Sequence, residues 1–423
     1  MTTEGTAPTS TTTPARARGR WGMLAAVWGV YAGFGLVAGS LAPVVADVQA
    51  DLGLSKSAMG LVLGAWQLVY LVSAVPTGAF IRRVGLRWSV ALSAVVVCAS
   101  GMLRAGAGGF GTLYSAVALF GFGGPLISIG APQLIGEWFD VTERRTAVGV
   151  YTTAPSVGMM FAMFTANGVF VPLFGSWRPA LVLYGAMAGA TGLVWLAVSA
   201  TVGARSRRPA GAAAAADAAP ALGSRALLRL PVVRLVLVLA VGSFLFSHAL
   251  GNWMVRMLQD GGRSAATAGT LAAFTTLVGI GATAVVPRLA TVERRVALLV
   301  GVYLVGAVAV AGMTFVSGSA VFGLLVGLGI TRASSLPMAM LVLMDAPEVG
   351  PRNMAAAGGL YFTAGEVGGV LGPLLVGVIA DASGGFRAPA LALAAVAVAL
   401  AVISLRVPRP DRPGGRAAAG APG

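Results

Sequence analysis

Only 10% of the 423 residues are charged, where a water-soluble domain of ordinary usage carries roughly 25%. A chain so poor in charge cannot clothe a globule against water. Histidine and cysteine occur once each, as His248 and Cys98. A lone thiol excludes an internal disulfide, a paired-cysteine redox centre and a thiolate metal cluster. Lysine is nearly absent too: Lys56 stands alone, and every other basic residue is arginine, a bias of GC-rich bacterial genomes and not of any chemistry. Neither Gly-x4-Gly-Lys-Ser/Thr nor His-Glu-x-x-His occurs, so no nucleotide loop and no zinc protease site is encoded. Neither a cofactor nor a metal is expected, and the chain reads as no enzyme.

What is present in abundance is apolar. Hydrophobic residues make up 57% of the chain and fall in runs of about 20, the length that crosses roughly 30 Å of hydrocarbon at 1.5 Å per residue. Spans are predicted near 21–44, 58–80, 88–105, 111–136, 145–169, 179–203, 231–255, 266–287, 296–314, 320–344, 354–379 and 388–406. The first is too long and too poorly flanked to be a cleaved signal peptide. An all-α membrane protein of twelve transmembrane helices follows, with the lipid bilayer as its first partner.

The net charge of +15 would suit nucleic acid were it gathered on one polar domain. It is sorted by side instead. The loops and tails on the side of the N-terminus hold every basic residue except Arg332, within a span, and Lys56, Arg104, Arg178, Arg256, Arg263 and Arg387, which fall to the outer loops. That asymmetry places both termini in the cytoplasm of a bacterial cell. Residues 1–20, rich in Thr and Pro, read as a disordered tail. Residues 204–230, arginine-rich around an alanine run, form a cytoplasmic linker between six-helix bundles at 21–203 and 231–407, and 408–423 form a second tail.

The two bundles are related. An offset of 210 pairs Gly149, Tyr151, Thr153, Val157 and Gly158 with Gly359, Tyr361, Thr363, Val367 and Gly368; an offset of 205 pairs Gly124, Pro132 and Asp140 with Gly329, Pro337 and Asp345. Equivalent spans run the same way through the bilayer, a parallel repeat about an axis along the membrane normal, as in carriers that work by alternating access.

Gly78-Ala-Phe-Ile-Arg82-Arg83-Val-Gly85-Leu-Arg87 resembles the G-x-x-x-D-R-x-G-R-K signature of the major facilitator superfamily, with arginine at the position of its aspartate. Glu137-Trp-Phe with Glu143-Arg144-Arg145, Trp177-Arg178, and Gly368-Gly369-x-x-Gly372-Pro373 add to the likeness, which covers residues 21–406. Ala154-Pro155-x-x-Gly158 is similar to part of the antiporter signature but lacks its other glycines. Ala50-Asp51-Leu-Gly-Leu-Ser55, Leu103-Arg104, Gly149-Val-Tyr-Thr-Thr153 and Ala266-x-Ala-Gly269 resemble the cyanate and nitroimidazole transporter branch. The resemblance implies two pseudo-symmetric bundles, a cytoplasmic gating loop at Gly78, Arg82, Arg83, Gly85, Arg87, Glu137 and Arg144, and a small solute, an anion or a compact polar compound. Without its aspartate, that loop either still latches neighbouring helix ends or serves topology alone.

A charge at a helix centre costs roughly 2.5–3.5 kcal/mol on insertion scales, so it survives where it pairs or lines a wet cavity. Arg332 and Glu366 both lie mid-span, at equal depth in neighbouring antiparallel helices, and their repeat counterparts are Ile127 and Ser156. They are either a structural ion pair or a site in which Arg332 binds an anion and Glu366 loads and unloads a proton; arginine stays protonated. His248 is a second possible proton carrier or a packed helix residue. Tyr31, Trp66, Gln67, Tyr70, Tyr361, Asn252 and Trp253 are candidates to shape a polar, aromatic cavity, with packing as the plainer account of the aromatics. A secondary active transporter, proton-linked, carrying a small anion or compact polar compound, is the expectation. Proton-driven efflux of drugs or secondary metabolites is the rival within transport, and a non-transporting sensor or scaffold the rival outside it.

Overall fold

The computed structural model describes residues 14–203 and 222–408, apart from Val292 and Ser317. The greater part of both tails and residues 204–221 of the linker lie outside the described residues. Twelve helices are long and apolar enough to cross a membrane: α1 Pro14–Gly39, α2 Lys56–Val84, α3 Leu86–Ala105, α4 Phe110–Trp138, α5 Val141–Thr165, α6 Trp177–Gly203, α7 Pro231–Asp260, α8 Ala265–Leu289, α9 Arg295–Gly312, α10 Ala320–Met344, α11 Gly350–Ser383 and α12 Arg387–Ser404. Their count agrees with the hydropathy reading. No strand occurs among the described residues.

The ends follow ordinary capping chemistry. Ser55 Oγ accepts the N–H of Ala58 at the start of α2, and Ser264 Oγ that of Thr267 at the start of α8, each satisfying one orphan donor of a first turn. Gly85, at φ +89°, is the whole connection between α2 and α3, a conformation that a β-carbon disfavours. The predicted tail of α1 is broken: beyond Gly39 a short 3-10 turn, Ala42–Val44, leads into a separate helix, Val45–Leu52. A π-helical turn, Ala166–Phe170, closes α5. The described part of the linker docks on the second half through Leu227, fully buried, and Leu222 N–H, which donates to Asn353 Oδ1 at 2.9 Å.

The repeat is visible as packing. A β-carbon on Gly158 would stand 1.9 Å from the Ala32 carbonyl oxygen, and one on Gly368 1.9 Å from that of Val241, so α5 lies on α1 as α11 lies on α7. Gly121 meets the Trp66 carbonyl and Gly329 the Thr275 carbonyl in the same way, pairing α4 with α2 and α10 with α8. The halves then meet through α2 on α11, where Gly60 and Gly377 face Pro373 and Lys56 oxygens, and through α8 on α5, where Gly269 faces the Met163 oxygen. Small residues let backbones approach where no hydrophobic drive holds helices together.

All these cross-half contacts lie toward one end, away from the termini. There Asp381, near the end of α11, accepts the backbone N–H groups of Lys56 and Ser57 at 3.0 and 2.7 Å and stands 3.9 Å from Lys56 Nζ. At the end that carries both termini the helices part: a β-carbon on Gly149, Gly358 or Gly359 would meet nothing within 4 Å, and Val72 and Val75 of α2 are 74% and 85% exposed. The molecule is closed at the far end and open at the terminal end.

Candidate functional site

The closed end is the floor of a cleft between the halves. One wall comes from the first half and is aromatic. Tyr31 of α1 stacks on Tyr151 of α5 at 6.2 Å and leans on Phe34 at 5.7 Å; Phe34 stacks on Phe120 at 4.5 Å, and Trp66 of α2 meets Phe34 and Tyr70 edge-on, both at 6.1 Å. Tyr70 Oη and Ser128 Oγ are hydrogen-bonded at 2.9 Å. Of these residues the sequence singled out Tyr31, Trp66 and Tyr70 for the cavity and missed Phe34, Tyr151 and Ser128; the spacing of Tyr31 and Phe34, three apart on one helical face, was the available signal.

The other wall comes from the second half and carries the charge. His248 of α7 stacks on Phe244 and comes within 6.1 Å of Trp66, ring centre to ring centre, bridging the two walls. Its Nδ1 lies 2.9 Å from the Phe244 carbonyl oxygen; a carbonyl only accepts, so Nδ1 holds the proton and Nε2 is the free nitrogen of the neutral ring. Arg332 of α10 reaches α7 beside it: a β-carbon on Gly251 would stand 3.0 Å from Nη2, and the guanidinium lies close enough to His248 to act on it electrostatically.

Arg332 and Glu366 do not form an ion pair. Among the described residues the guanidinium of Arg332 has no hydrogen-bond or ion-pair partner, and its Nε is buried. Glu366, 8% exposed, points elsewhere, with Oε2 buried and unpartnered. Equal depth in adjacent helices brought the two to the same cleft, but their side chains leave the helices in different directions. Glu366 shares a gap over the bare α-carbon of Gly369, where a β-carbon would stand 3.2 Å from Glu366 Oε2, 3.3 Å from Gln67 Cγ and 3.5 Å from His248 Nδ1. Gln67 is fully buried with both amide atoms unpartnered. Pro373, four residues on, has no N–H for the Gly369 carbonyl, so this gap gathers a carboxyl, an amide and a helix carbonyl without its usual donor.

One candidate is not brought to the cleft. Tyr361, 1% exposed, donates its hydroxyl to the Leu336 carbonyl of α10 at 2.8 Å; it packs α11 on α10. Tyr361→Phe is therefore expected to cost about 1 kcal/mol of stability, read as a lowered midpoint of thermal unfolding, with solute exchange unchanged. Asn252 donates from Nδ2 to the His248 carbonyl of its own helix at 2.9 Å, with no partner for its Oδ1 among the described residues.

At the terminal end, Arg82 and Arg83 make no ion pair with any described residue. Gly78 faces only its own Arg82. Arg87 reaches the Leu196 carbonyl at 3.4 Å and lies over the Trp88 ring. Arg144 donates to the Phe139 and Gly136 carbonyls and so caps the end of α4, Gln133 donates to Glu137, and Arg20 pairs with Glu143. These contacts tie first-half helix ends to each other and none reaches the second half. Arg104, counted above with the outer loops, is a correction. It is 1% exposed, donates from Nη1 to the Val37 carbonyl at 2.7 Å and lies over the Phe120 ring, where it answers the negative end of α1.

Twelve spans in two related halves around a polar cleft open at one end define a membrane transporter. Residues 27–373 match the Major Facilitator Superfamily, and the chain belongs to that family. It is 24% identical over 369 residues to the uncharacterized transporter YycB of Bacillus subtilis (strain 168), covering 85% of this chain and 87% of that one. It is also 24% identical over 371 residues to the 2-nitroimidazole transporter of Escherichia coli (strain K12), with 86% and 89% covered. The D-galactonate transporter of Escherichia coli O6:H1 is 28% identical over 160 residues, 38% of this chain and 36% of that one. In fold, the crystal structure of a D-xylose-proton symporter superposes with a TM-score of 0.69 at 16% identity, covering 92% of this chain and 98% of that one.

Proposed function

We propose that the chain is a proton-linked secondary carrier that moves a small anionic or compact polar solute across a bacterial cytoplasmic membrane by rocking its halves about the cleft. The observation that carries this reading is the pair of separated, unpartnered groups on one wall: a guanidinium free to bind an anion and a buried carboxyl free to take up a proton. Arginine keeps its proton throughout, so the loading and unloading fall to Glu366. The arginine-rich loops support a cytoplasmic location for the terminal end, and with it a state open to the inside. One of the relatives matched over most of their length is named for a compact ring compound, and the symporter of like fold is named for protons.

The test is solute-evoked proton movement. Nicotinate, 2-nitroimidazole or D-galactonate is added to proteoliposomes loaded with a pH-sensitive dye. The wild type is expected to shift lumenal pH with at least one probe, and Glu366→Gln, correctly folded by size-exclusion chromatography, to shift it with none. A pH response that survives in Glu366→Gln would falsify the assignment of the proton to that residue.

A further inference from the structure

We propose that the cargo is a compact organic monoanion with a flat, largely apolar body, such as a ring carboxylate, and not a polyhydroxylated sugar acid. The proposal rests on the carrier reading and narrows it.

The two walls differ in what they can recognise. On the charged wall Arg332 offers one cation with no counter-ion among the described residues, its Nη2 lying in the room that the bare α-carbon of Gly251 leaves. A guanidinium presents a planar fork of donors that matches a carboxylate in two parallel hydrogen bonds. A desolvated cation without a counter-ion is costly, and an anionic solute cancels that cost on entry. Glu366 cannot serve instead, because its carboxyl is turned to Gln67 and Gly369.

The facing wall of Tyr31, Phe34, Trp66 and Tyr151 offers ring faces and edges. Offset or edge-on pairing with a flat ring is worth roughly 0.5–1.5 kcal/mol beyond burial of its area. The wall's hydrogen-bonding groups without a partner among the described residues are three, the Tyr31 and Tyr151 hydroxyls and the Trp66 Nε1–H, each at the edge of a ring. The Ser128 hydroxyl is held by Tyr70 and the Thr153 hydroxyl by Trp28; Asn252 Nδ2 is held by its own helix, and Gln67 is fully buried beside Glu366. Each solute hydroxyl buried without a partner costs roughly 1–3 kcal/mol, so a sugar acid with more hydroxyls than these three groups can meet loses part of the gain at Arg332. A neutral ring keeps the aromatic wall and forfeits the cation. A flat monoanion uses both.

Counterflow of labelled nicotinate in proteoliposomes tests this. Expected is exchange that unlabelled nicotinate competes away and a tenfold excess of D-galactonate or 2-nitroimidazole does not. Arg332→Gln should weaken half-saturation at least about tenfold, as for loss of one charged hydrogen bond. Arg332→Lys, which keeps the charge and loses the fork, should fall between, guarding against a variant that merely folds poorly. Absence of nicotinate exchange, exchange unaltered in Arg332→Gln, or equal competition by D-galactonate overturns the proposal. Exchange of D-galactonate alone would overturn the cargo and leave a carrier; silence with all three probes, in counterflow and in the pH assay, would count against the carrier reading as well.

Discussion

A valine at Gly368 should leave almost no folded protein in the membrane, while a valine at Gly359, nine residues earlier on the same helix, should be tolerated. A β-carbon at Gly368 would stand 1.9 Å from the Val241 carbonyl oxygen and 3.0 Å from the Leu245 nitrogen. Those atoms belong to the backbone of α7 and cannot swing aside as a side chain would, so the helices must separate along their whole contact. Overpacking a well-packed interior costs about 1–3 kcal/mol, and here the separation also loosens the neighbouring contacts of Gly365 and Gly372 on α7. A β-carbon at Gly359 meets nothing. Gly158→Val should fail as Gly368→Val does, since the Ala32 oxygen occupies the corresponding place. The measurement is the monodisperse peak in fluorescence-detected size-exclusion chromatography. A normal peak for Gly368→Val would mean that α7 and α11 are not packed as described.

Removing the carboxylate of Asp381 should open the far end. That side chain accepts the N–H groups of Lys56 and Ser57, first-turn donors of α2 that have no partner within their own helix. One half thus caps a helix of the other, and the halves cannot part there without giving up both bonds to water. Hydrogen bonds to a charged group contribute about 1.5–3 kcal/mol each, so Asp381→Ala should raise the population open at the far end by at least about tenfold. The ion pair to Lys56, at 3.9 Å and partly exposed, is worth at most about 1 kcal/mol, so Lys56→Ala should change little. A cysteine at Tyr31, in a background where Cys98 is serine, reports the result through its rate of reaction with an impermeant maleimide added from the far side. Equal rates for Asp381→Ala and Lys56→Ala would show that charge, and not the capped helix end, holds the gate.

Much of this was legible before any coordinates, because hydropathy and loop charge are local properties of a chain in a bilayer. The twelve spans, the two halves and the mid-span positions of Arg332 and Glu366 needed nothing else. Side-chain direction did not come with them. Equal depth suggested that Arg332 and Glu366 would meet, yet a residue's facing depends on which neighbour leaves it room, and Gly251 and Gly369 drew the two to different places. Tyr151 and Tyr361 illustrate the same limit. They share a register in the repeat, but Tyr151 finds Tyr31 on the cleft wall while Tyr361 finds a carbonyl of α10. Arg104 looked like a loop charge because it ends a span, and only the turn of α1 at Gly39 makes a polar socket for it. The far-end latch was illegible for a related reason: Asp381 acts on backbone groups more than three hundred residues away, and backbone donors leave no mark in a sequence.

The latch also holds the only primary amine among the side chains of this protein. Lys56 is the sole lysine, and its ammonium lies against Asp381 and the Ala380 carbonyl. An amine-directed acylating reagent applied to intact cells therefore has one internal target, and a lysine-specific endoprotease has one bond to cut, between Lys56 and Ser57. The native chain carries its own chemical reporter of whether the far end is shut, and it needs no engineered label to be read by mass spectrometry.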